Sequence, residues 1–192
     1  MTQTQGAVSA AELGVALPEP GTYKLEPSHT SIGFVARHML SKTRGNFSEF
    51  EGTITVPENV ADTAVDVTIQ AASISTGHEM RDGHLNSNDF FTVEEYPTIT
   101  FAGKGIRQTE GADFELDGDL TIKGITRPVT LEGEYLGFGP GMQGEQRIFA
   151  SAKATVNRED WDLTWNVAVE TGGLLVGKKV DIVLDLEAVK EA

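Results

Sequence analysis

The chain has 192 residues, 21 glycines, 7% aromatic residues and no cysteine; the length suits one domain, and the lack of thiols excludes disulfides and thiolate metal sites. Its 29 acidic residues outnumber 15 basic ones for a formal charge of -14, a field that repels nucleic acid and anionic membrane at moderate ionic strength. No stretch approaches the roughly 18 consecutive apolar residues of a membrane-spanning helix.

Residues 1 to 20 close on Pro18-Glu19-Pro20 and have the small, polar composition of a flexible tail, so the folded unit is expected to span 21 to 192. The mildly apolar part, Ala7 to Leu17, contains Glu12 and lacks a preceding basic region. It is a poor signal peptide, and a cytoplasmic location is the expectation.

Two strands, about 22 to 38 and 42 to 56, open the domain. Within the second, Phe47 and Phe50 stand three apart, which points them to opposite faces unless a bulge near Ser48-Glu49 returns both to one side. The sequon Asn46-Phe47-Ser48 is read as a chance match. In residues 64 to 74, Val65, Val67, Ile69 and Ala71 alternate with Asp66, Thr68 and Gln70, the pattern of a half-buried strand. Residues 78 to 95 read as a helical insertion, stopped by Tyr96-Pro97.

Strand alternation resumes at 112 to 122, where Phe114, Leu116, Gly118, Leu120 and Ile122 oppose Glu115, Asp117, Asp119 and Thr121; Lys123-Gly124 is a turn. It continues through 127 to 137, 148 to 156 and the last strand, with Val180, Ile182, Leu184 and Leu186 on its dry face. Gly139 to Gly144 matches G-x-G-x-x-G but lies between strands, so it is a hairpin loop and not a nucleotide site. Residues 157 to 163 form a short helical turn. About eight antiparallel strands, each with one dry face, predict an all-β barrel closed on itself, with an open two-sheet sandwich as the alternative.

The interior carries the functional clue. Ala150, Ala152 and Ala154 share the dry face of one strand, and Gly118 and Gly133 extend the deficit of volume to its neighbours. Protein interiors pack with few voids, so either a ligand occupies the space or Phe34, Phe47, Phe50, Phe101 and Phe114 fill it.

Several separated motifs, in one order, resemble the YceI family. They are His29-Thr30-Ser31 with Phe34 and His38, Gly45-Asn46-Phe47 with Phe50 and Gly52, and the block from Arg81-Asp82 to Pro97. Leu120 to Thr126 with Pro128, and Val156-Asn157-Arg158-Glu159-Asp160-Trp161, complete the match from Tyr23 to Val189. The resemblance implies a lipocalin-like barrel covered by the helical insertion and holding a long isoprenoid, or in some members another long-chain lipid such as a fatty amide. Two positions depart from the family: Glu26 replaces the usual Asp, and Asp162 replaces a common Gly, which puts the geometry of that turn in question because Gly adopts positive φ more readily. Many family members carry a secretion signal that is not evident here.

Candidate ligand-binding residues are Phe34, His38, Phe47, Phe50, Arg81, Leu85, Phe90, Phe91, Phe101, Phe114, Ala150, Ala152 and Ala154. His38 shares a face with Ile32, Phe34 and Ala36 and points toward the barrel's end, to meet a lipid head group or cap the core. Arg81 and Asp82 read as a structural pair anchoring the insertion, with Arg81 reaching a phosphate or carbonyl as the alternative. Phe90 and Phe91 supply a core plug, Leu85 lines the entry, and the segment is a candidate lid. Arg158, Asp160 and Trp161 read as a capped turn plugging the second end of the barrel.

The four histidines lack ligand spacing, and no nucleophile motif occurs, so neither a metal, a cofactor nor a catalytic group is expected. The expected function is non-enzymatic binding or transport of an isoprenoid or similar lipid, with a neutral head group favoured by the acidic charge. The alternatives are an enzyme using His38 on a lipophilic substrate and a filled, ligand-free interaction module. A homodimer would have to use side-chain surface, since a barrel leaves no free edge.

Overall fold

A computed structural model describes residues 16–170 and 172–192. The strands are β1 (Gly21–Leu25), β2 (Ser31–His38), β3 (Ser41–Phe47), β4 (Phe50–Val56), β5 (Ala64–Gln70), β6 (Ile74–Ser75), β7 (Thr98–Gln108), β8 (Asp113–Ile122), β9 (Ile125–Pro140), β10 (Gln146–Asn157) and β11 (Val176–Lys190). Among the described residues one α-helix, α1 (Glu79–Asn86), and three short 3-10 turns interrupt them. Strands β1, β4, β5, β7, β8, β9, β10 and β11 pair in that order, and β1 pairs back onto β11 through Tyr23 and Lys190. This eight-membered antiparallel ring is the predicted barrel, and its closure removes the sandwich alternative.

The first two predicted strands are each broken in two. β11 is long enough to pair with β1 at its end and with β2 along Val176 to Asp185, so β1 and β2 act as successive halves of one barrel strand. The parity break between Phe47 and Phe50 falls where expected. Ser48 and Glu49 leave the ladder: the Ser48 amide donates to the Ser73 carbonyl (3.3 Å), and the Glu49 carbonyl accepts from the Gln70 amide (2.9 Å). Phe47 and Phe50 both pack into the core as a result.

The insertion is less helical than its sequence suggests. His78 Nδ1 accepts from the Arg81 amide (3.4 Å) at the start of α1, and Ser87 Oγ donates to the His84 carbonyl (2.7 Å) at its end. Ser87, Asn88 and Asp89 favour turns over further helix, and residues 87–97 continue as turns. The other expected helical turn is a 3-10 helix, Arg158–Trp161, capped by Asn157. Asp162, where the family commonly has Gly, adopts φ 57°, and Lys123 Nζ donates to its carbonyl (3.0 Å) and carboxylate (3.2 Å). The turn keeps its left-handed geometry, with the lysine as local support.

Two expectations need correction. The Arg158–Trp161 turn does not plug a second end of the barrel: β5, β8, β10 and β2 all finish, and β7, β9, β11 and β3 all start, at the end where the insertion lies. The turn and the insertion therefore close the same end. At the N-terminus, residues 1–15 of the expected tail lie outside the described residues, but 16–20 are docked on the far end. Pro18 is buried, Tyr135 donates its hydroxyl to the Ala16 carbonyl (2.6 Å), and Tyr23 donates to that of Glu19 (2.7 Å). Burial pushes the Tyr135 hydroxyl well above its ordinary pKa, so it remains a donor at any physiological pH.

Candidate functional site

The dry faces of the strands converge on a hollow interior. Phe34, Phe91, Phe101, Phe114, Ile182 and Leu184 face inward yet retain partial exposure, because part of the surface they present is to empty space. The space is divided. A cavity of about 210 Å³ lies beneath the insertion and the Arg158–Trp161 turn, and one of about 130 Å³ lies toward the docked residues 17 and 18. Leu131, Leu184 and Leu186 line both, so the wall between them is built of flexible leucine side chains.

Three glycines keep the bore open. The phenyl ring of Phe34 lies over its cross-strand partner Gly45, that of Phe114 over its partner Gly133, and that of Phe101 over Gly118. A Cβ at any of these glycines would overlap the ring. The expectation that Gly118 and Gly133 themselves leave voids is thereby corrected: the rings fill the space over them. Because the rings lie against the wall, the aromatic residues line the lumen without filling it.

Phe34, Phe47, Leu85, Phe90, Phe91 and Phe101 line the larger cavity, and Phe114, Ala150 and Ala152 line the smaller. Phe50 packs against both core clusters, whereas Ala154 packs on the core beside the larger one without lining either. His38 and Arg81 line neither cavity. His38 sits at the tip of the β2–β3 hairpin, paired with Ser41. Arg81 donates from Nε to Thr76 Oγ1 (2.7 Å) and from Nη2 to the Thr76 carbonyl (3.1 Å).

Asp82 accepts from the amide (2.8 Å) and hydroxyl (2.5 Å) of the same Thr76. Arg81 and Asp82 thus anchor the insertion through a shared threonine and not through each other. Burial works against the Asp82 charge, but the two Thr76 donors prevail and hold its carboxyl below the ordinary aspartate range.

Arg158 and Trp161, read from the sequence as part of a capped turn, line the site as well, and Trp165, Leu17 and Pro18 are contributors that the sequence reading missed. Arg158 is almost fully buried and is the one charged side chain lining the larger cavity. Its guanidinium donates to the carbonyls of Gly177 (2.9 Å), Leu163 and Val176, with no carboxylate in ion-pair range among the described residues; burial pushes its pKa down. Trp161 is buried beside it and donates from Nε1 to the Leu120 carbonyl (3.0 Å). Trp165 clamps the insertion, with its ring 4.5 Å from that of His84 and 5.4 Å from that of Phe90. It lies in an irregular segment where periodicity carries no signal. Leu17 and Pro18 close the smaller cavity from a stretch whose composition reads as tail. Among the described residues no cluster of His, Asp and Glu has metal-binding geometry.

An almost wholly apolar lumen with a buried end cap suits holding an apolar chain. Known proteins share this architecture. The chain is 34% identical over 173 residues to Protein YceI of Escherichia coli, spanning 88% of this chain and 87% of that one. The crystal structure of a Campylobacter jejuni YCEI protein superposes with a TM-score of 0.70 at 26% identity, covering 81% of this chain and 90% of that one. A polyisoprenoid binding domain from Saccharophagus degradans, implicated in plant cell wall breakdown, has the same fold: TM-score 0.63, 15% identity, 88% of this chain and 98% of that one. The family model described as YceI-like domain matches residues 23–188, and the chain belongs to that family.

Proposed function

We propose that the barrel binds the apolar tail of an isoprenoid or a comparable long-chain lipid and sequesters or carries it without chemical change. The observation that carries this reading is the pair of apolar cavities inside the barrel, about 210 and 130 Å³. An engineered apolar cavity of about 150 Å³ stays dry and admits benzene. By proportion the larger space holds roughly eight carbons and the smaller about five. A tail that passes the leucine wall buries about a dozen carbons, worth about 10 kcal/mol gross before the losses of immobilising it. The family membership and the polyisoprenoid-binding description of a structural neighbour support the same ligand class.

The head group is neutral, a quinone or an amide in preference to a pyrophosphate. Lys42 and Arg44 lie on the outer face of β3, Arg81 is engaged by Thr76, and each of the three guanidinium nitrogens of Arg158 donates to a backbone carbonyl. An enzymatic reading built on His38 has less support, because that residue does not reach the lumen. The insertion, held through Thr76 and Trp165, acts as the lid. The test is a titration with prenyl compounds of matched tail, carrying neutral or phosphate heads. Saturable binding with neutral heads at least as tight as phosphates is expected; a clear phosphate preference refutes the head-group assignment, and no binding of either refutes the proposal.

A further inference from the structure

The β2–β3 hairpin breaks the rules of its own turn. Two-residue hairpin tips favour Asn, Asp and Gly, which tolerate left-handed backbone and water. Here the tip is Met39-Leu40. Met39 takes φ 54°, and Leu40 is fully exposed, with Met39 half exposed. Neither choice helps the turn, and both leave apolar surface in water. The Met39 amide donates to the Leu175 carbonyl (2.7 Å), tying the tip to a neighbouring segment that exposes Val167 and Leu174.

The charge around this tip is opposite to that of the molecule. From Pro27 to Ser48 the sequence has no acidic residue. Arg37 and Lys42 are cross-strand partners just below the tip, and Arg44 follows on the same outer face. None of these three, nor Lys179 on β11 alongside, has a salt-bridge partner among the described residues. Glu170 is the one carboxylate of the neighbouring 166–176 segment. Asp181 on β11, the cross-strand partner of Val35, accepts from the Thr155 hydroxyl (2.8 Å), and a run of acidic residues lies elsewhere: Asp113, Glu115, Asp117 and Asp119 alternate along the outer face of β8, four places around the ring from β1 and its continuation β2.

We infer that the hairpin tip is a membrane-docking element that inserts Met39 and Leu40 into the surface of an anionic lipid bilayer, with Arg37, Lys42, Arg44 and Lys179 at the phosphate level. Apolar residues at the headgroup boundary combined with a few cations are the two signals that give reversible interfacial binding. The overall charge does not prevent it, because charges separated by more than a Debye length, about 8 Å at physiological salt, are screened. Phe34 and Ala36 line the larger cavity on the same strand that carries the tip, so docking sets the wall of the lumen against the bilayer.

The test is flotation of the full chain with vesicles of phosphatidylcholine alone or containing phosphatidylglycerol. Binding to the anionic vesicles, weakened by added salt, is expected. Replacing Arg37, Lys42 and Arg44 together by Gln should weaken it about a hundredfold, and Met39→Ser with Leu40→Ser about tenfold or more. Met142→Ser, at a methionine as fully exposed as Leu40 but on the other end of the barrel, should leave it unchanged. Absence of anionic-vesicle binding overturns the inference, as does binding insensitive to the tip and charge variants, or a tip variant whose effect is to dissolve a dimer. Tail binding by the same variants in vesicle-free solution should be intact. That readout keeps failure of docking separate from failure of the lipid-binding proposal.

Discussion

Gly133→Ala tests whether the glycine seats hold the lumen open. The three atoms nearest the added Cβ are all ring atoms of Phe114, a side chain that can swing, and the adjacent cavity of about 130 Å³ that Phe114 already lines gives it space. The swing is cheap in stability, about 1 kcal/mol at the low end of overpacking costs. It removes room for about five carbons of ligand, whose burial is worth about 4 kcal/mol gross. Part of that is offset by tail freedom regained, so the affinity for a long tail should fall about 30- to 1000-fold. A tail of one isoprene unit, about five carbons and so confined to the larger cavity of about 210 Å³, should bind as tightly as before. Isothermal titration with a prenyl series of increasing length reads both numbers. Equal affinities of the variant and the parent across the whole series would refute the reasoning.

Three further outcomes follow from the same geometry. Gly118→Ala meets not only the Phe101 ring but the Ala102 carbonyl at 2.8 Å; backbone cannot swing aside, so stability should fall by about 3 kcal/mol and the melting temperature by roughly 10 °C, measured by calorimetry. Arg158→Leu strips the arginine's donors from the carbonyls of Gly177 and buried Leu163, while that of Val176 keeps Asn166 Nδ2 (2.7 Å), and should cost about 3 kcal/mol in denaturant unfolding, with Lys a poor rescue because it lacks the fork of donors. Asp82 has a lowered folded pKa, so its contribution to anchoring the insertion is present above the ordinary aspartate range and is lost as pH falls through the lowered value. Amide exchange of residues 79–86 should therefore accelerate below about pH 4 before the barrel strands do, while Asp82→Asn exchanges fast at neutral pH without that acid step. If the insertion exchanges as slowly as the core strands throughout, it is not a lid.

How much of this was legible beforehand follows from how each feature is encoded. Alternation with a period of two is a local signal, and it located β5, β8 and β11 because each has one face in water; the same parity count placed the break between Phe47 and Phe50. The lumen was legible in part. Inward alanines at 150 and 152 marked thin wall, and the phenylalanines marked its lining. That Phe114 lies over Gly133 depends on a cross-strand register set by the turn at Lys123-Gly124, and one strand's sequence carries no record of its neighbour.

The side chains assigned to the mouth were placed less well. Parity puts His38 on the inward face, but it cannot reveal that the strand has already passed the end of the cavity. The end closed by Arg158 and Trp161 was misassigned because strand count, not composition, decides at which end a connection falls. Residues 16–20 resembled a tail because proline and small residues bury little area individually. Their order comes from the hydroxyl of nearby Tyr23 and from that of Tyr135, far along the chain.

The most direct test of the central claim is to purify the protein from its native host without detergent, extract it with organic solvent and identify what co-purifies by mass spectrometry. One long-chain isoprenoid or amide, stoichiometric with protein and neutral in its head group, is the predicted result. An empty extract, together with no thermal stabilisation on adding quinones or prenyl lipids, would contradict it and mark the barrel as one that functions without a guest.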